Sequence, residues 1–233
     1  MNHHRDRSAR ALLAVLVLFV LVSACGRPEP GPAAKPVHQS RAKSQYDARV
    51  FDASLATIVA WHDSVGTGWS APAGPEPDAV SARFEDLGFT LNDELRTLWS
   101  RHTPPDDAPP LVYGYRLLSA EAAREHYDAL RADASVPWRP NWVPVLEGDA
   151  QWLVVESSRS GAPAGPVVAV RPDEEPVVAF TNLTRLFEAI ATALADSTSR
   201  WTDETVRIEP DVFRRAHGAS NPELQLPAHV TGS

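Results

Sequence analysis

The chain has 233 residues, 22 Lys+Arg against 30 Asp+Glu, and a formal net charge of −8. Apolar content of 43% and charged content of 22% fit a globular protein, long enough to bury a core without disulfides. The single cysteine excludes an internal disulfide framework and a multi-Cys metal cluster, and the acidic balance argues against sequence-independent nucleic-acid binding.

Arg5, Arg7 and Arg10 precede residues 11–22, which are apolar and uncharged. A basic start and a short apolar run mark a secretory signal. Twelve residues rise about 18 Å as a helix, short of a bilayer core of about 30 Å. The run ends in Leu21-Val22-Ser23-Ala24-Cys25, which resembles a bacterial lipobox. The resemblance implies cleavage before Cys25, a diacylglyceryl thioether on its sulfur and a third acyl chain on its amine. Two or more chains anchor stably where one does not. The expected address is the cell membrane or the outer membrane, with the domain facing outside the cytoplasm. Residues 26–45, rich in proline and poor in large apolar side chains, read as a disordered tether. From Tyr46 onward the sequence holds 15 Lys+Arg and 28 Asp+Glu, net −13. Such a surface steers basic partners.

Residues 46–65 read as a helix, with Val50, Phe51, Leu55, Ile58 and Trp61 on one face and Gly66 and Gly68 ending it. Residues 70–77 form a Pro/Gly loop. Asp78 is placed to cap a short helix running to Leu87, closed by Gly88. Thr90-Leu91-Asn92-Asp93 begins the next helix, whose inward face is Leu91, Leu95, Leu98 and Trp99. After a proline-rich loop at 103–110, residues 111–118 predict a strand. Ser119 caps a helix to about Ala132, with Ala123, Tyr127 and Leu130 inward.

Strands follow at 142–146, 151–156, 167–170 and 177–180, joined by short turns. The apolar stripe of Leu183, Leu186, Phe187, Ile190, Ala191 and Leu194 predicts a helix. Residues 199–233 carry a short apolar patch at 206–208 and a helical turn near 210–216. Helices, then strands in hairpin order, then a helix define an α+β fold with an antiparallel sheet of about five strands.

Catalytic signals are poor. G-x-S-x-G, the P-loop and G-x-G-x-x-G are missing from the sequence, and Gly66-Thr67-Gly68 reads as a helix stop. His62-Asp63, and His102 with Asp106 and Asp107, are loose metal candidates that read better as loop residues. No catalytic residue, metal or cofactor is assigned. Of seven tryptophans, Trp61, Trp99, Trp142 and Trp152 fall on apolar faces and predict core. Trp69 and Trp138 fall in Pro/Gly-rich loops. They are the candidate partner-binding anchors, unless they fold back over the core.

From about Trp61 to Leu194 the order of features resembles the SMI1/KNR4 family, also called the SUKH superfamily. The carriers are Phe84-Glu85-Asp86-Leu87-Gly88-Phe89-Thr90-Leu91 and the Leu91-to-Trp99 segment, where Asn92 replaces the family proline. Tyr113-Gly114-Tyr115-Arg116-Leu117-Leu118-Ser119 follows, then Trp142-Val143-Pro144-Val145 with a shortened Gly148-Asp149 turn. Residues 178–187 close the match. The resemblance implies a non-enzymatic α+β binding domain over residues 46–198. That domain follows a signal peptide at 1–24 and a tether at 25–45, and precedes a C-terminal extension at 199–233. In bacteria it implies an immunity protein that neutralises a toxin, here a basic one. The alternative is a cell-envelope scaffold or cell-wall regulator without a toxin.

Overall fold

The computed structural model describes residues 46–69, 72–158 and 160–231. The leader, Cys25 and the tether lie outside the described residues. Among those residues, six α-helices and seven strands alternate in the predicted α+β order.

Helix α1 spans Ala48–Val65. Asp47 accepts from the amides of Arg49 and Val50, and Gly66 ends the helix in the left-handed conformation at φ 68. Helix α2, Pro77–Ala82, starts on a proline and has no side-chain cap, so Asp78 lies inside the first turn and is not the cap. A 3-10 turn at Glu85–Leu87 ends at Gly88, φ 76. Helix α3, Asp93–Arg101, is capped by Asn92, whose side chain accepts from the Leu95 amide. This cap lies two residues beyond the expected Thr90. It also explains the position where proline was expected: Asn92 supplies an acceptor that proline lacks.

The expected strand at 111–118 shrinks to β1, Arg116–Leu117. Residues before it turn back on themselves: Tyr113 and Gly114 both hold positive φ, at 48 and 78, and Val112 bridges Tyr115. Helix α4, Ala120–Ala132, is capped by Ser119, which accepts from the Ala122 amide. Strands β2 (Trp142–Gly148), β3 (Gln151–Glu156), β4 (Val167–Val170) and β5 (Val177–Phe180) follow. With β1 they form a five-stranded sheet in the order β1-β2-β3-β4-β5, antiparallel throughout. Helix α5 is Leu183–Leu194.

Strand alternation sorts the sheet's two faces. Leu153, Val155, Val167 and Ala169 join the main core with Phe51, Leu55 and Ile58 of α1, Leu95 and Leu98 of α3, and Phe187 and Ile190 of α5. Val154, Val168 and Val170 form a smaller cluster with Trp142, Val136 and Leu130 of α4. Each large aliphatic or aromatic side chain buried this way contributes about 1.5–3 kcal/mol. Edge strand β5 is partly covered, because His217 Nε2 pairs with the Ala179 carbonyl at 2.7 Å.

Residues after 198 are not an appendage. Strands β6 (Arg200–Thr202) and β7 (Thr205–Arg207) make a hairpin, and helix α6 spans Pro210–Ser220. Val206, Ile208, Phe213, Ala216 and Val230 all enter the main core. The segment belongs to the same compact unit as α1 to α5. No helix of the described residues is long and apolar enough to cross a membrane.

Candidate functional site

The two loop tryptophans fold back to different extents, the alternative the sequence left open. Trp69 is 1% exposed and its ring lies 5.1 Å from that of His62. An anchor has to be reachable, so Trp69 is a core residue. The Pro/Gly loop carries it back over the core, one of the two outcomes the sequence allowed. Trp138 is half-buried, edge-on to Tyr127 at 5.4 Å and to Trp142 at 6.0 Å. It braces the loop after α4, beside Arg139, whose guanidinium lies 5.1 Å above the Trp142 ring. Trp99 and Trp142 are fully buried as expected, whereas Trp61 and Trp152 are only partly so.

The metal candidates do not assemble. His62 is buried, with Nδ1 2.9 Å from Thr67 Oγ1, while Asp63 is exposed. Burial pushes the His62 imidazole down to about 4, so it is neutral at physiological pH. Among the described residues no group of three or more His, Cys, Asp or Glu is placed to hold a metal ion.

The structure does bring together residues the sequence left apart. A cleft of about 230 Å³ is lined by Asp106, Arg116, Ser119, Glu125, His126 and Glu147, with Leu117 and Leu118 as its apolar floor. Four segments position them. The proline-rich loop holds Asp106, β1 holds Arg116, α4 presents Glu125 and His126 on consecutive positions, and β2 carries Glu147 one residue before its end. Arg116 and Glu147 are partners in the β1–β2 register.

Glu147 is the hub. Arg116 Nη2 donates to its Oε2 at 2.9 Å, and His126 Nε2 lies 3.7 Å from its Oε1. Asp106 and Glu125 are exposed and add two further negative charges. Ser119 is not poised as a nucleophile, because its Oγ accepts the Ala122 amide at 3.1 Å as the helix cap. The cleft therefore offers three carboxylates and one half-exposed arginine over an apolar floor. It suits a cationic side chain with an aliphatic stem. An exposed Arg–Glu pair is worth only about 0.2–1 kcal/mol, so an incoming cation can compete with Arg116 for Glu147.

The wider surface has the same sign. Most described arginines are tied up by neighbouring carboxylates, among them Arg124 with Asp86 and Asp128, Arg101 with Asp52, and Arg185 with Glu188. The carboxylate surplus is left facing solvent. Sequence reasoning missed Glu125, His126 and Glu147, because residues drawn from separate segments carry no spacing signal.

No protein-family model and no curated protein matches the chain. The fold and the cleft together define an acidic α+β domain built on an antiparallel meander.

Proposed function

We propose that the chain is a lipid-anchored envelope protein whose α+β domain binds a basic protein partner without catalysing a reaction. The observation that carries this reading is the acidic cleft of Asp106, Glu125 and Glu147 within a domain of net charge −13. The lipobox-like run ending at Cys25 supports the anchor. The SMI1/KNR4 resemblance supports the binding role, and helices followed by a meander and a closing helix are what that resemblance implies. Within the reading, an immunity protein facing a basic toxin comes first. The toxin must act in the envelope or be caught on its way in, because the anchor holds the domain outside the cytoplasm. The same location favours the second reading, a scaffold or regulator contacting cell-wall proteins.

Gene deletion followed by co-culture with close kin tests the first reading. Deletion should sensitise the cell to a secreted product of its neighbours. The full chain should restore protection, and a Cys25→Ser chain should not. A deletion strain that competes normally but shows altered wall growth would transfer the assignment to the scaffold reading.

A further inference from the structure

A second, larger cavity of about 650 Å³ lies on the far side of the Tyr113 turn, between the β6–β7 hairpin and the start of α6. The hairpin turns at Asp203-Glu204, both at positive φ, 51 and 59. Its register pairs Arg200 with Arg207 and Thr202 with Thr205. Alternation puts these four residues on one face, and all four line the cavity. The opposite face carries Trp201 and Val206, and Val206 is buried in the core.

The arginine pair conflicts with local stability. Like charges directly opposite on adjacent strands are destabilising. Most other described arginines have a carboxylate within 4.0 Å, although Arg49, Arg131 and Arg215 do not. Here Arg207 reaches only Asp203, at 3.5 Å between two exposed side chains. Arg200 has no ion pair among the described residues. Local choices that oppose stability concentrate at functional sites.

Three more features share the cavity. Helix α6 spans 11 residues and opens with Pro210 at the cavity wall, without a side-chain cap; Glu209 before it and Asp211 in its first turn offset its positive dipole end. Glu209, just before it, also lines the wall and would repel a bare anion, but it accepts a hydroxyl. Thr198, Thr202 and Thr205 add hydroxyl donors and acceptors. The volume falls in the range of small-molecule sites, about 300–1,000 Å³.

We propose that this cavity binds a phosphate ester carrying a free hydroxyl, with the phosphate on Arg200 and Arg207 and the hydroxyl on Glu209. Two guanidiniums supply the forked donors that phosphate oxygens accept. Bound phosphate would relieve the arginine repulsion. The same chemistry occurs in a soluble glycerophosphate and in a phosphatidylglycerol headgroup.

Calorimetric titration of the full chain in neutral detergent tests this, with sn-glycerol 3-phosphate, inorganic phosphate and glycerol as probes. Glycerol phosphate should bind, and Arg200→Gln or Arg207→Gln should weaken it about tenfold, the loss of one charge-assisted contact. Both arginines are exposed, so these variants should melt at or above the wild-type temperature, a readout that separates lost binding from lost fold. Glu209→Gln should weaken glycerol phosphate and leave or improve inorganic phosphate. Adding phosphatidylglycerol to the micelles distinguishes the sources. Competition with glycerol phosphate supports the headgroup, and unchanged affinity supports the soluble ester. No heat from glycerol phosphate at millimolar concentration would overturn the proposal. So would affinity unchanged in both arginine variants, or equal binding of inorganic phosphate with Glu209 intact.

Discussion

Glu94 of α3 closes the amino end of α5 by accepting from Thr184 twice. The Thr184 amide donates to Oε1 at 2.9 Å and the Thr184 hydroxyl at 2.6 Å, while the Leu183 amide reaches Oε2 at 3.2 Å. Glu94 is fully buried. Desolvation raises its carboxyl from 4.5 to about 7, even though those hydrogen bonds pull the other way. The junction therefore holds a proton in the folded state that the unfolded chain releases. Between pH 4.5 and 7 the folded state binds more protons, so this group's contribution to stability falls as pH rises and levels off above 7. The span is worth roughly 3 kcal/mol. Glu94→Gln should remove that pH dependence. Near pH 5 it should change stability by only about 1 kcal/mol, because the neutral carboxyl and the amide each offer one acceptor oxygen to the Thr184 amide and hydroxyl. Urea denaturation midpoints at pH 5, 6, 7 and 8 measure both effects.

His62 titrates in the opposite sense. Its pKa is depressed, from 6.5 to about 4, by burial against Trp69 and Trp61. Its contribution is complete above pH 6.5 and is lost as pH falls towards 4. Burial lowers His217 and His229 as well, in the same direction. The histidines and Glu94 thus oppose each other between pH 4.5 and 6.5, and the wild type should show a shallow profile there. In Glu94→Gln the histidine slope stands exposed, and stability should rise clearly from pH 4 to 6.5. His62→Phe should flatten that rise while lowering stability at pH 7 by about 1 kcal/mol through the lost Thr67 bond. Thermal melts of the single and double variants across this range check the pairing.

Two glycines should respond to the same substitution with opposite signs. Gly165 is buried where a Cβ would fall on the Glu156 carbonyl oxygen, with the Asn92 amide group close behind. Gly165→Ala should cost about 3 kcal/mol or more. Gly218 lies exposed inside α6, and its Cβ would meet nothing within 4 Å. Gly218→Ala should gain about 0.5–1 kcal/mol from helix propensity alone. Chemical denaturation of the two variants decides the matter.

Legibility followed the length and polarity contrast of each element. Strands β4 and β5 and helix α5 were readable to the residue, because Pro166, Pro172 and Asn182 punctuate strongly apolar runs. The start of β1 was not, since Leu111 to Tyr115 carry strand-like side chains around a turn that only the Tyr113 and Gly114 dihedrals reveal. The β6–β7 hairpin was hidden because its turn uses Asp203-Glu204 in place of the Asn-Gly or Asp-Gly signal. Neither cavity was legible. Arg116 meets Glu147, and Tyr113 meets Ile208, only through tertiary packing of distant segments. The acidic character of the domain was plain from composition. Where that charge lines a cleft was not.

Recognition of a basic protein, as proposed, runs through the Asp106, Glu125 and Glu147 cleft. The most direct measurement is capture by the immobilised full chain, set beside an Asp106→Lys/Glu125→Lys variant, from envelope extract and culture supernatant of the source cell and its kin. Both substituted side chains are exposed, so the variant should fold. The wild-type chain should retain one dominant basic protein, released by raised salt and lost from the variant. Retention of the same proteins by wild type and variant, or of a partner indifferent to salt, would contradict it.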